Sequence, residues 1–216
     1  HTIGSLYGYV AERILNVDDF EQDAEGNLII DKDGDYLYKH ASPSTGVPAP
    51  GDLKFKDLNN DGFITDQDRT IIGKALPDYL AGFNFEASWR NFDFSIFLNS
   101  MINYQVINAQ RAGLESFVSQ DINHNKLEDY AANYYRIDRP SDNYIRADLG
   151  NSNFNDRTST WWVEDASFVR IRDIQFGYNI PVRLLNTIGF NSTRIYVSTE
   201  NPLVITNYKG RDPENG

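Results

Sequence analysis

Between Ala166 and Pro181 the chain reads ASFVRIRDIQFGYNIP, and from Ile174 onward its side chains alternate. Ile174, Phe176, Tyr178 and Ile180 fall on one face of an extended segment, with Gln175, Gly177 and Asn179 on the other. A period of two specifies a strand rather than a helix. A sheet packed on a second sheet produces the same alternation. Here, however, the apolar face is aromatic and the other lacks large apolar side chains, the pattern of a strand that meets lipid outside and water inside.

The pattern recurs, more cleanly, from Tyr79 to Trp89, where Phe83, Phe85, Ala87 and Trp89 alternate with Gly82, Asn84, Glu86 and Ser88. Arg90-Asn91 turns the chain into Phe92 to Leu98, with Phe92, Phe94, Ile96 and Leu98 facing one way and Asp93, Ser95 and Phe97 the other. A further strand is expected over Thr193 to Thr199, ended early by Pro202, and a helical turn over Val182 to Ile188. Met101 to Asp165 holds no strand signal of membrane length, only a helical signal around Tyr130 to Tyr135.

Composition bounds the function. No run of about eighteen apolar residues occurs, which excludes a membrane helix, but a membrane strand needs only about ten alternating residues. A mean hydropathy of -0.52 therefore does not exclude a barrel. With 216 residues, 40% of them hydrophobic, the chain can form one domain. A net charge of -11 without a Lys/Arg cluster argues against nucleic acid, whose binding rests on neutralising phosphates. The absence of cysteine rules out a disulfide framework and thiolate metal sites, and suits an exported protein stabilised by a large sheet. His1-Thr2-Ile3 has neither the basic start nor the apolar run of a signal peptide, so such a segment is expected to have been removed or to lie in a missing N-terminal part.

Asp57 to Asp68, DLNNDGFITDQD, fits a twelve-residue calcium loop. Asp57, Asn59 and Asp61 supply oxygens at positions 1, 3 and 5, Gly62 permits the sharp turn at 6, and Phe63 offers its carbonyl at 7. Ile64 is the apolar anchor. Thr65 stands at position 9, as a ligand or as the cap of a short helix from Asp66, and Asp68 at position 12 replaces the usual Glu, as in dockerin-type loops. The same residues also suit a metal-free loop in which the carboxylates bond neighbouring amides. Asp31 to Asp35 and Asp121 to Asn125 lack the glycine at position 6 and read as solvated loops, and Glu25-Gly26-Asn27 turns a small hairpin into Leu28 to Ile30. His1, His40 and His124 are isolated in polar sequence and read as solvated surface; no catalytic constellation emerges. Trp161 and Trp162 suit an interfacial aromatic girdle or, alternatively, stacking on a sugar ring.

Several strings carry a family resemblance. Ser159 to Asp165 followed by Ala166 to Pro181, Gly4-Ser5-Leu6-Tyr7-Gly8-Tyr9, Ala81 to Asn84 with Asn91 to Phe97, Arg139 to Arg146, and Asn201 to Glu214 together resemble the late barrel strands and loops of SusC-like (SusC/RagA) TonB-dependent outer-membrane transporters. Ile145 stands where the family has proline, and Pro202 is a second departure. The resemblance implies an all-β fold: a partial antiparallel transmembrane β-barrel, the C-terminal strands of a twenty-two-stranded barrel, with long extracellular loops containing short helices. It further implies a Gram-negative outer membrane and its lipid, a SusD-like surface lipoprotein as lid, TonB as energy source, and oligosaccharides or peptides as cargo, with no enzymatic step. About five to seven strands are expected, the plug and the TonB box are not found, and residues 1–216 are expected to be an incomplete C-terminal part of the barrel. Within it, residues 52–74 are expected to form an EF-hand or dockerin-like Ca²⁺ loop inside an extracellular loop, and connection lengths put the Arg90-Asn91 turn and the 181–192 link on the periplasmic side. The competing reading is a secreted calcium-binding β-domain acting as a carbohydrate-binding or dockerin-like module, in which the aromatic strand faces would form a buried core.

Overall fold

The computed structural model describes residues 3–116, 125–150, 152–185 and 190–214. The chain divides into two units, His1–Ala75 with Val106–Glu164, and Leu76–Gln105 with Asp165–Asn215.

The second unit is a four-stranded sheet of β1 (Tyr79–Trp89), β2 (Phe92–Ile102), β3 (Phe168–Asn179) and β4 (Arg194–Thr206). Neighbours in sequence are neighbours in the sheet and every pairing is antiparallel. The strands run 11 to 13 residues, enough to cross a bilayer at a tilt. The register puts Phe85 beside Ile96, and Phe94 beside both Ala87 and Phe176, which in turn faces Val197. One face is thus a continuous apolar surface across all four strands. It is not a core: Phe83 is 58% exposed and Val197 is 67% exposed. So broad an exposed apolar face removes the ground for the secreted-module reading, which needs these side chains buried.

Two details of β3 and β4 differ from the sequence reading. Ile171 pairs with Leu98 but Asp173 pairs with Phe97, so Arg172 is an extra residue, a bulge. The extra residue changes the parity of the strand: Val169 and Ile171 before it share the apolar face with Ile174, Phe176 and Tyr178 after it. On the other side Ile171 pairs with Leu203 and Asp173 with Glu200, leaving Asn201 and Pro202 outside the ladder. Pro202 therefore does not end the strand, because at this bulge no ladder bond requires its missing N–H. Asn201 adopts φ 50°, and its side-chain oxygen accepts from Arg172 at 3.3 Å.

The first unit is built of short pieces. Between Ile3 and Leu15 two short strands form: Ser5–Gly8 pairs with Thr70–Lys74, and Ala11–Ile14 with Leu53–Phe55. The break falls at Tyr9, whose N–H and C=O bond Thr158 and Thr160. Among the described residues, the expectation of five to seven strands thus becomes four of membrane length, the rest being short. Ile14, Leu53, Phe55, Ile64, Tyr130, Tyr135, Ile145 and Trp162 form the core of this unit. Trp162 belongs neither to a girdle nor to a sugar platform: it is 1% exposed and its indole N–H donates to the Asn155 carbonyl at 2.9 Å. Ile145, where the resemblance calls for proline, is a core side chain at 2% exposure. Among the described residues the α-helices here are Ala109–Leu114 and Glu128–Asn133.

Buried charge stitches the pieces together. Asp52, with 0% exposure, accepts from Arg146 Nε at 2.6 Å, Asn155 Nδ2 at 2.8 Å and the Ala49 N–H at 2.8 Å. A buried carboxylate is tolerated when its lone pairs are filled in this way. His40 is not an isolated surface residue either: its Nε2 lies 2.7 Å from Asp19. His1 and His124, with Asp121 to Asn123, lie outside the described residues.

Candidate functional site: the polar sheet face and the 57–68 loop

The face of the sheet opposite the aromatic one carries side chains that a water-filled lumen accommodates. Near the Arg90-Asn91 turn, Arg194 Nε donates to Asp93 at 3.1 Å, a second guanidinium nitrogen donates to Gln175 at 2.7 Å, and Asn179 donates to Asp93 at 3.2 Å. Gly177 makes room for this group, since a Cβ there would stand 2.5 Å from Asp93 Oδ2 and 2.6 Å from the Arg194 guanidinium. Farther along β1, Asn84 donates to Glu86 at 3.0 Å.

At the other end of the same face, the segment after β4 folds back onto β3. Arg170, 5% exposed, donates to Asp212 at 2.6 Å and lies 3.0 Å from Glu214, while Arg172 reaches Glu214 at 2.5 Å. Tyr104 OH donates to the Pro213 carbonyl at 2.8 Å. Burial, together with the charges of Glu214 and Asp212, pushes the Tyr104 hydroxyl up to about 12, so it stays a donor. The Arg170 hydrogen bond holds the Asp212 carboxyl below the usual carboxylate range. Sequence reading assigned these four charged residues no role. Their signal was an Arg-x-Arg in a strand answered by Asp-x-Glu some forty residues later.

The 57–68 loop has the backbone its sequence asks for: Asn60 and Gly62 take φ 59° and 85°. Asp57 accepts from the amides of Asn60 at 2.6 Å and Gly62 at 2.9 Å, Asn59 from Asp61 at 2.9 Å, and Asp61 from Phe63 at 2.8 Å. Ile64 is the buried anchor at 2% exposure. Thr65 caps the turn Asp66–Asp68, its hydroxyl accepting from the Gln67 N–H at 3.2 Å. Asp68 is wholly buried; its two oxygens accept from Leu58 and Thr65 amides, both at 2.8 Å. Burial alone would raise its pKa, but these N–H donors hold it below the usual range. Asp57, Asn59, Asp61 and Phe63 are thus gathered in one turn with Asp68 beneath it. No three acidic or histidine side chains converge as a metal-holding group among the described residues. The donor set fits a cation in part: three oxygen-bearing side chains line the turn, while Asp68 already serves backbone amides. Asp31 bonds the amides of Asp33 at 2.8 Å and Asp35 at 3.0 Å, the local pattern expected of a solvated loop.

Comparison with known proteins gives the frame for these observations. No family model matches the chain. TonB-dependent receptor P3 of Formosa agariphila is 30% identical over 213 residues, covering 98% of this chain and 18% of that protein. TonB-dependent receptor SusC of Bacteroides thetaiotaomicron is 30% identical over 182 residues, 83% of this chain and 17% of SusC. Among solved structures, the RagAB peptide importer in its closed-closed state superposes with a TM-score of 0.65 at 20% identity, over 98% of this chain and 20% of that one. The chain spans about a fifth of the length of the proteins it matches. Homology over nearly its whole length, and a sheet with one apolar and one polar face, identify the chain as a partial β-barrel of the SusC-like TonB-dependent receptors.

Proposed function

We propose that this chain is part of the barrel wall and loops of an importer in a Gram-negative outer membrane, one that takes up oligosaccharides or peptides with a SusD-like surface lipoprotein and draws its energy from TonB. The observation that carries this reading is the sheet itself: an exposed aromatic face backed by a hydrogen-bonded polar face in strands of membrane length. Transport of this kind asks the chain for a wall and for ordered loops, not for a covalent step. The RagAB structures are described as a peptide importer, which favours peptides as the first cargo to test. The experiment is uptake of labelled peptides and oligosaccharides by cells carrying the whole receptor, with and without TonB and the neighbouring lipoprotein. Uptake independent of TonB overturns the reading.

The loop at 57–68 supports a second part of the proposal: Asp57, Asn59, Asp61 and the Phe63 carbonyl hold a Ca²⁺, with Thr65 and Asp68 closing the turn beneath it. Calcium accepts six to eight oxygens in flexible geometry, which suits a turn whose carboxylates keep lone pairs beyond those used on amides. The ion would neutralise the crowded carboxylates and fix the loop, a structural role.

A further inference from the structure

One end of the sheet carries a cation that neither transport nor the calcium loop uses. Trp89 and Phe92 flank a two-residue turn whose first member, Arg90, sits at φ 55°. Backbone of this kind is natural to glycine and accepted by asparagine, so a turn shaped for the hairpin alone would carry one of those at this position. Arginine here is a local cost that calls for a use. Its guanidinium lies 4.8 Å over the Trp89 ring, is exposed, and forms no ion pair among the described residues. Asp93 is no partner for it, because its carboxylate is bound to Arg194 on the polar face. On the apolar face beside the turn, Ala87, Trp89, Phe92, Phe94 and Phe176, with Asp93, line an open groove of about 370 Å³, and Phe92 stacks on Phe176 at 5.6 Å between ring centroids.

We propose that this end of the sheet binds one anionic glycerophospholipid, its phosphate on Arg90 and the first carbons of an acyl chain in the groove. The inference rests on the reading that the sheet spans the membrane. Nonspecific solvation by lipid tails needs neither a groove nor a fixed cation; a cation above a ring and an apolar slot within one turn of chain match the two halves of such a lipid. Arg183 is exposed in the short helix Val182–Leu185 that follows β3 at the same end of the sheet. A headgroup carrying its own ammonium is disfavoured beside the Arg90 guanidinium.

The test uses the whole receptor in nanodiscs, with lipid retention read by native mass spectrometry for phosphatidylglycerol against phosphatidylcholine. Arg90→Gly is the informative variant, because glycine suits the backbone and leaves the fold and its thermal midpoint intact. Wild type should retain phosphatidylglycerol preferentially, and Arg90→Gly should retain it about fivefold less. Equal retention by the two proteins, no preference between the lipids, or displacement by inorganic phosphate overturns the site. A receptor in which Phe85→Arg inserts as well as wild type would instead refute the membrane reading beneath it.

Discussion

Arg170 and Asp212 meet at 2.6 Å across the polar face, joining the middle of β3's opening half to a segment that has already left the sheet. With Glu214 at 3.0 Å, one nearly buried guanidinium holds two carboxylates. Arg170→Ala leaves Asp212 without its ion-pair partner and Glu214 with Arg172 alone. Because hydrogen bonds to charged groups contribute about 1.5–3 kcal/mol, the segment 207–214 should open to protease while β3 keeps its amide protection. Hydrogen exchange of the two regions in the whole receptor checks this.

On the membrane reading proposed above, lipid on one face and water on the other make adjacent positions in β1 unequal. Phe85→Arg should cost about 2–4 kcal/mol near the bilayer midplane, and Glu86→Arg far less. Refolding titrations into vesicles measure both. Equal costs would contradict the assignment of faces.

Asp19 gives the first unit an acid-sensitive joint. Burial alone would raise its pKa, but Arg13 at 2.6 and 2.5 Å, the Asn16 amide at 2.9 Å and His40 at 2.7 Å outweigh it and hold the carboxyl well below the usual range. A folded pKa below the unfolded value of about 3.9 stabilises the fold fully above that pH, and the stabilisation is lost as pH falls toward the folded pKa. Proteolysis of residues 13–40 should therefore rise below about pH 4. Asp19→Asn should be looser at neutral pH and should lose much of this pH dependence.

Calcium should protect residues 52–74 from protease, with chelator reversing the effect and Asp61→Ala abolishing it. Millimolar affinity is enough if the loop lies outside the cell as proposed, and each tenfold excess over the dissociation constant adds about 1.4 kcal/mol to the ordered state. Identical digestion with and without the ion would leave the amide hydrogen bonds of Asp57, Asn59 and Asp61 as the whole reason for these residues.

The hairpin of β1 and β2 was legible because a period of two needs no tertiary information: side chains that alternate in sequence alternate in space. The Arg172 bulge was legible only as a discontinuity, with Val169 and Ile171 on odd positions and Ile174, Phe176 and Tyr178 on even ones. Pro202 misled because a missing donor ends a strand only where the ladder needs that donor, and the pairing partner decides this. The core around Trp162, Tyr130 and Ile145 was hidden, since its members come from segments tens of residues apart and carry no shared period. For the 57–68 loop, sequence specified the turn, but not that Asp68 would be committed to the Leu58 and Thr65 amides.

The bulge at Arg172 also sets what this strand can survive genetically. Replacing Arg172 removes one side chain and its bonds to Asn201 and Glu214. Losing its codon does something no replacement can: everything before it moves by one pleat, sending Val169 and Ile171 into water and the Arg170 charge into hydrocarbon. The in-frame deletion of Arg172 should therefore fail to assemble where Arg172→Ala assembles, and outer-membrane yield of the two receptors distinguishes them.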